Sequence, residues 1–356
     1  MNDQSWPTLT SALLAGEDLA ATDTYWAMTQ IMSGEATSAQ LAGFAVALRA
    51  KGETAAEVSG LADAMLAMAQ PLEIAGPALD IVGTGGDMAA TVNISTMSAV
   101  VAAAAGARVV KHGNRASSSQ CGSADVLVAL GVAIDLPADA VRRCVDELGI
   151  GFAFAPTFHP ALRHAGPARR ELGIPTVFNI LGPLANPARP SAQMVGCANL
   201  ALAPVMADVL ASRGTRALVI RGEDGLDEVT IFADTHVWDA SRPGGVVEDV
   251  IELERTGISQ GKADELTGGT ADLNAAITRS VFAGDTNGPL EAVRDAVALN
   301  TAAALVTWDA ANGIDPLGDI TQRVQDALPR AIDAIESGAA AELLDRWAAF
   351  STEAAR

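Results

Sequence analysis

Apolar residues over the first 70 positions recur at helical intervals. After Thr37-Ser38-Ala39-Gln40, residues Leu41, Phe44, Ala45 and Leu48 fall at i, i+3, i+4 and i+7 and so lay one stripe along a helix. Val58, Leu61 and Met65 do the same after Thr54-Ala55-Ala56-Glu57. Both tetrapeptides fit the capping box, in which the first and fourth side chains each satisfy an orphan amide. An earlier helix over 22–32 places Tyr25, Met28 and Met32 on one stripe and stops near Gly34. Three short helices with apolar faces must pack together or against another layer, so the spacing predicts a small helical domain.

At Pro77 the period changes. Ala78 to Val82 is a short strand-like run followed by a glycine-rich loop; Ile94 to Ala107 has helical length, and Arg108 to Lys111 is strand-like again. Strand, loop, helix and strand within about 30 residues make a βαβ unit, hence a parallel sheet with a right-handed crossover. Further strands are predicted at 152–154, 193–197, 217–220, 229–232 and 246–251. The chain from Leu290 onward reads as helical and ends on Leu343, Leu344, Trp347 and Phe350. The fold class is α/β, a small N-terminal all-helical domain preceding a larger α/β domain with a mostly parallel central sheet.

Composition narrows the function classes. The 356 residues, 49% hydrophobic and 19% charged, suit two domains with a sizeable core and exclude wholesale disorder. A formal charge of −20 argues against a nucleic-acid binder, which needs a basic face to displace counterions. It leaves room for a small polyanion, because a few cations and a metal can reverse the field inside one cleft. Cys121, Cys144 and Cys197 are odd in number and lack a CxxC, so neither a disulfide framework nor a zinc site is expected. Met1 to Thr10 has no basic segment leading an apolar one, and the longest apolar stretch, near 99–107, is too short to span a bilayer. A soluble cytoplasmic protein is expected.

Candidate chemistry concentrates in four places. Gly83-Thr84-Gly85-Gly86-Asp87 follows the first strand of the βαβ unit, at the sheet edge where open α/β folds bind ligands. Asn93-Ile94-Ser95-Thr96 opens the next helix, where Ser95 or Thr96 can cap and free amides favour phosphate. Neither a GxGxxG nor a GxxxxGK[ST] spacing is present. The second loop, Lys111-His112-Gly113-Asn114-Arg115-Ala116-Ser117-Ser118-Ser119, emerges on the same edge with two cations, an amide and three hydroxyls. Only Lys51, Lys111 and Lys262 are lysines, so one in this loop points to a wanted point charge. The third place, Gly222-Glu223-Asp224-Gly225-Leu226-Asp227-Glu228, holds four carboxylates that repel unless solvated or bound to a hard cation. The fourth is Pro160 leading a helix with His164, Arg169 and Arg170, where an arginine could grip a carboxylate in bidentate fashion.

Together GTGGD with NIST, KHGNRASSS with GSADVL, the run from Phe154 to Pro187, GEDGLDE, and the opening IMSGEATSAQ with ALRAKGET closely resemble the anthranilate phosphoribosyltransferases, over about residues 10–350. The resemblance implies a helical domain over 1–75, joined by helices near 160–185 and hinged to an α/β phosphoribosyl-binding domain over 76–159 and 186–356. It implies a homodimer formed through the helical domains. It implies that Gly83, Gly86, Asp87, Thr91, Asn93, Ile94, Ser95 and Thr96 contact 5-phosphoribosyl 1-pyrophosphate (PRPP). Lys111, His112, Gly113, Asn114, Arg115, Ala116, Ser117, Ser118, Ser119 and Ser123 would close over its phosphates. Asp227 and Glu228, with Ser95, would hold Mg2+; Gly83, Asn114 and Arg169 would bind anthranilate, the arginine facing its carboxylate. Lys111, Asp227 and Glu228 are the implied catalytic groups.

Two residues depart from that pattern: Met88 stands where the family usually has glycine, and Val92 replaces a common phenylalanine. Methionine enters positive φ less freely than glycine. The implied reaction is displacement of pyrophosphate at the anomeric carbon by the anthranilate amine, driven by positioning and electrostatics rather than a covalent nucleophile. Two rivals fit less well. A pyrimidine nucleoside phosphorylase would not need the GEDGLDE turn or the KHGNR loop, and a nucleic-acid-binding relative would not carry a charge of −20.

Overall fold

The computed structural model describes residues 4–116, 120–314 and 317–355. Seven strands form one sheet: β1 (Leu79–Gly83), β2 (Val109–Gly113), β3 (Ile150–Phe154), β4 (Ala192–Gly196), β5 (Arg216–Gly222), β6 (Thr235–Asp239) and β7 (Val247–Ile251). Their spatial order is β3-β2-β1-β4-β5-β6-β7; the first five run parallel and the last two pair antiparallel. Every residue of β3 and β4 is buried, as befits parallel strands covered on both faces.

The two-residue period of the strands divides the core. Ile81, Met194, Leu218 and Ile220 face one buried cluster, with α5 (Ile94–Ala104) and the helix Pro289–Ala311. Val195, Ala217 and Val219 face the other, with the helix Ala203–Ser212. That second cluster continues into α1 (Trp6–Leu14), α2 (Ala21–Met32), α3 (Ser38–Lys51) and α4 (Ala55–Ala67), and includes Ala165, Ala168, Val177, Phe178 and Leu181.

Both capping boxes form. Thr37 Oγ1 accepts the Gln40 amide at 3.2 Å, and Thr54 Oγ1 the Glu57 amide at 3.3 Å. The helices number four rather than three, because Ser5 caps a first helix whose stripe, Trp6, Leu9 and Leu13, is too short for periodicity alone to reveal. Tyr25 leaves its expected stripe: it is 41% exposed, while Met28 and Met32 are buried. The strand expected at 229–232 does not form. Val229 gives its N–H to Asn300 Oδ1 and accepts from Asn300 Nδ2, both at 2.8 Å, so a helix side chain takes the place of a sheet neighbour. The helix expected from Pro160 divides into a 3₁₀ turn, Pro160–Ala165, and a helix, Gly166–Leu172, with Pro167 restarting it in its first turn.

Candidate active site

The chain leaves β1 toward β2 on one side while β4 pairs on its other side, so the carboxyl ends of β1 and β4 mark a switch point. The acidic turn after β5 folds back over that point. Gly85 N–H donates to Asp227 Oδ2 at 2.7 Å. A Cβ on Gly83 would lie 2.4 Å from Asp227 Oδ2, and one on Gly196 only 1.6 Å from the Asp227 carbonyl oxygen, so both positions admit glycine alone. Gly196→Ala is expected to lift the Asp227 backbone off the sheet edge and to lower turnover about 10²-fold, as misplacements near 1 Å do. Steady-state kinetics beside a thermal melt check this.

The four acids of the turn have two jobs. Asp224 builds it, accepting the Leu226 N–H at 3.1 Å and the Thr230 hydroxyl at 2.6 Å. Glu223 is exposed beside it. Asp227 is buried, and burial together with the charge of Asp87 pushes its pKa up to about 7. Glu228 is raised well above the usual carboxylate range by burial and by Asp227, with the Ser95 amide opposing the rise. Asp87 thus joins the pair as a third carboxylate, a proximity that only the tertiary structure reveals. Asn300 fixes the backbone just behind Glu228.

Lys111 lies beneath this cluster, its side chain turned inward. It is 1% exposed; Nζ donates to the Ile81 carbonyl at 2.6 Å and reaches Ser95 Oγ at 3.4 Å. Burial lowers its pKa, opposed by Asp80 and Glu228. Asp80, fully buried, has its pKa raised to about 6 by burial although Lys111 pulls it down. Its oxygens accept His112 N–H at 3.1 Å and Asn186 Nδ2 at 2.8 Å. Asp80 and Asn186 carry no sequence signal of their own, since a lone acid inside a strand and a lone amide in a loop make no motif.

The start of α5 differs from expectation. Asn93 precedes the first turn without a side-chain cap, and Thr96 Oγ1 is buried and unpartnered, so neither Ser95 nor Thr96 caps the helix. Its amides are not free: Ile94 N–H bonds Val92 O, Thr96 N–H bonds Asn93 O, and the Ser95 amide serves Glu228. Unpaired amides lie instead in the loop ahead of it. Gly85, Gly86, Met88 and Ala90 all have positive φ, and the Gly86, Asp87 and Met88 amides bond no group among the described residues. Such left-handed kinks gather amides into a concave nest for phosphate. Met88 holds φ +58° with its side chain 93% exposed, so no packing offsets the strain. The loop is pinned from outside: Thr91 bridges Thr267, Val92 N–H bonds Leu266 O, and Asn274 Nδ2 donates to Asn93 Oδ1 at 2.8 Å. Val92 is buried.

In the second loop, Gly113 abuts Ser123, whose Oγ donates to Asn114 O at 3.3 Å. Arg115 pairs with Asp125 at 2.9 Å, and Ala116 N–H donates to the same carboxylate at 2.8 Å. Ser117, Ser118 and Ser119 lie outside the described residues.

A cavity of about 290 Å³ opens between this edge and the helical layer, lined by Gly83, Gly86, Asn114, His112, Arg169 and Phe178 among others. The Arg169 guanidinium stacks 5.5 Å from the Phe178 ring centroid and has no hydrogen-bond or ion-pair partner among the described residues. Burial alone lowers its pKa. His112 Nδ1 faces the Gly182 carbonyl at 3.0 Å and His159 Nε2 the Ala185 carbonyl at 2.7 Å. Carbonyls only accept, so both nitrogens carry protons, which leaves His112 Nε2 and His159 Nδ1 as buried, unpartnered lone pairs. Burial and the neighbouring His159 press the His112 pKa to about 3, so it stays neutral.

Residues 75–341 match the α/β-domain model of a glycosyl transferase family, and residues 7–69 match that family's helical bundle domain. An anthranilate phosphoribosyltransferase of Saccharopolyspora erythraea is 57% identical, over 99% of this chain and 97% of that protein. The chain belongs to the anthranilate phosphoribosyltransferase family. Among solved structures, the anthranilate phosphoribosyltransferase of Thermus thermophilus superposes with a TM-score of 0.86 at 39% identity, covering 97% of this chain and 99% of that one. The enzyme of Saccharomyces cerevisiae in complex with PRPP and Mg also gives 0.86, at 27% identity and 99% coverage of each chain. As an anthranilate phosphoribosyltransferase family member, the chain has the family's helical bundle domain and α/β domain, the latter with a mostly parallel sheet.

Proposed function

We propose that this chain transfers the phosphoribosyl group of PRPP to the amine of anthranilate, giving N-(5-phosphoribosyl)anthranilate and pyrophosphate, in L-tryptophan biosynthesis. One observation carries the reading best: a half-buried, partnerless Arg169 stands in the same cavity as the Gly83–Gly86 loop, whose far side carries Asp227. A cavity with an arginine fork at one end and a phosphate nest at the other suits a small carboxylate facing a phosphorylated sugar.

Anthranilate's amine is neutral at pH 7 and attacks without a strong base. Arg169 holds the carboxylate, Phe178 supports the guanidinium, and the His112 Nε2 lone pair accepts an amine N–H and so aims the nitrogen lone pair elsewhere. With a pKa near 3, His112 orients the amine rather than deprotonating it. The amides of Gly86 to Met88 bind phosphate oxygens. Lys111 acts from below, holding Ser95 in place and balancing the acids with its charge.

Asp227, Glu228 and the Ser95 hydroxyl fit Mg2+. Buried Asp227 and half-buried Glu228, adjacent and both with raised pKa values, are groups short of a cation. Magnesium is commonly held by one or two carboxylates and completed by substrate phosphates. When bound, the ion supplies positive charge to the leaving pyrophosphate. Exposed Leu14, Tyr25 and Val46 on α1 to α3 support a homodimer through the helical layer. Cytoplasmic residence goes with the reading; among the described residues no helix is long and apolar enough to cross a membrane.

Loss of anthranilate fluorescence with PRPP and Mg2+, and its persistence when either is omitted, tests the proposal. Arg169→Ala is expected to raise the anthranilate KM about 10- to 100-fold, the worth of a charge-assisted fork. The PRPP KM should stay near its original value; equal effects on both contradict the assignment.

A further inference from the structure

The loop between Gly85 and Ala90 is strained in its second half. Met88 at φ +58° and Ala90 at φ +51° are left-handed without being glycine. Such strain persists where surrounding chain over-determines it. The restraint comes from residues 266–269, distant in sequence, which lie along residues 90–92 like a short strand. Gly268 N–H donates to Ala90 O at 2.8 Å, Val92 N–H donates to Leu266 O at 2.9 Å, and Thr91 bridges Thr267. The approach is so close that a Cβ on Gly268 would stand 2.7 Å from the Thr91 carbonyl oxygen.

Asn274, near the start of the helix Ala271–Phe282, fixes where that segment lies. It is 2% exposed, and both arms of its carboxamide are used. Oδ1 accepts Gly269 N–H at 2.8 Å, and Nδ2 donates to Asn93 Oδ1 at 2.8 Å, 181 positions away. One arm only accepts and the other only donates, so the two bonds set the orientation of the amide. Asn93 passes the tie onward: its Nδ2 donates to the Cys121 carbonyl at 3.1 Å, and the Cys121 thiol donates to its Oδ1 at 3.3 Å. Beside Cys121, the Gly122 N–H joins the Ala116 N–H and the Arg115 guanidinium on Asp125. One buried side chain thus stands between the two loops of the candidate site.

We propose that Asn274 is a positioning residue for the phosphorylated substrate, holding the strained loop in its phosphate-binding shape and tying it to the second loop. The proposal rests on the reading of the first loop as the nest for PRPP phosphates. Asn274 does not line the front cavity; it acts through Asn93 and through residues 266–269. Once the tie is cut, the left-handed residues relax and part of the binding free energy of PRPP goes into re-forming the nest. Anthranilate, held at the Arg169 end of the cavity, is untouched, and so is the chemical step once the site is filled. The loss therefore falls on the PRPP KM.

The test is steady-state kinetics of two variants and a control. Asn274→Leu keeps the branched shape and removes both bonds, whereas Gly268→Ala leaves Asn274 in place and pushes the segment off Thr91. The control, Thr278→Val, deletes a buried bond from Thr278 Oγ1 to the Asn274 carbonyl within the same helix and leaves the loop contacts alone. In both variants the PRPP KM should rise about 10-fold. Their kcat should stay within about threefold of the original and their anthranilate KM near it. Thr278→Val should keep all three parameters even where its melting temperature falls. Hydrogen–deuterium exchange on the substrate-free chain reads the clamp without activity: Asn274→Leu should speed exchange in peptides over 88–97 and 120–127 while peptides from the sheet stay as they were. Equal rises in both KM values, an unchanged PRPP KM in both variants, or the same shift in Thr278→Val overturns the proposal. If the unaltered chain transfers no phosphoribosyl, the functional reading falls by itself, and unchanged exchange over 88–97 in Asn274→Leu still overturns the clamp.

Discussion

Asp227→Asn combined with Glu228→Gln is expected to lower kcat/KM by about 10³-fold or more while the fold keeps or gains stability. The introduced asparagine can still accept the Gly85 amide through its side-chain oxygen, so the loop stays anchored. What disappears is charge: buried Asp227 and half-buried Glu228 beside Asp87, each pushed toward the neutral form. The sign of the stability effect follows from linkage. Asp227 has a folded pKa of about 7, above its ordinary value of 3.8, so the folded state binds the proton more tightly. Its contribution to stability is therefore full at pH below 3.8 and is lost as pH rises through 7. In chelator, the melting temperature of the unaltered chain should fall between pH 5 and pH 8 by more than that of the double variant. Added Mg2+ should recover stability at pH 8 only in the unaltered chain. Near-normal turnover in the double variant removes the metal assignment, and a parallel pH dependence of the two melts removes the electrostatic one.

Lys111→Met carries the second large effect. It keeps the length of the side chain but takes the cation from beneath Ser95 and Glu228, so kcat/KM should drop about 10²- to 10³-fold. It also removes the positive charge that holds the pKa of buried Asp80 down, so stability should fall at neutral pH. Adding Asp80→Asn should return much of that stability, because the uncompensated charge goes, yet should not return turnover. Denaturant melts and kinetics across the four-member cycle separate the two roles. If the double variant recovers activity along with stability, Lys111 is only a structural residue.

Asn186 belongs to the same network, bonding both Asp80 and the Val110 carbonyl. Asp80 is thus a junction: its carboxylate holds the loop after β2, balances Lys111, and meets a residue from the opposite edge of the sheet. A buried strand acid with three such partners is a positioning group, and its replacement should disturb the loop after β2.

Much of this could be read from the residues in order. The capping boxes Thr37–Gln40 and Thr54–Glu57, the stripes behind them, the βαβ unit and the loops at its strand ends are set by interactions between near neighbours, and local spacing reports those faithfully. The motifs GTGGD, KHGN and GEDGLDE named the family for the same reason. Sequence could not say that Val229 would bond a helical asparagine 71 positions away instead of a neighbouring strand, that Lys111 would point inward, or that Asp87 would meet Asp227. Those outcomes hang on which segments the sheet order brings together, and on burial, which moves a carboxylate to about 7 only once other chain has displaced its water. The sequence thus determined the elements, their caps and the chemical groups available. Tertiary structure alone decided which of those groups share a cavity, which way each faces, and the charge it carries there.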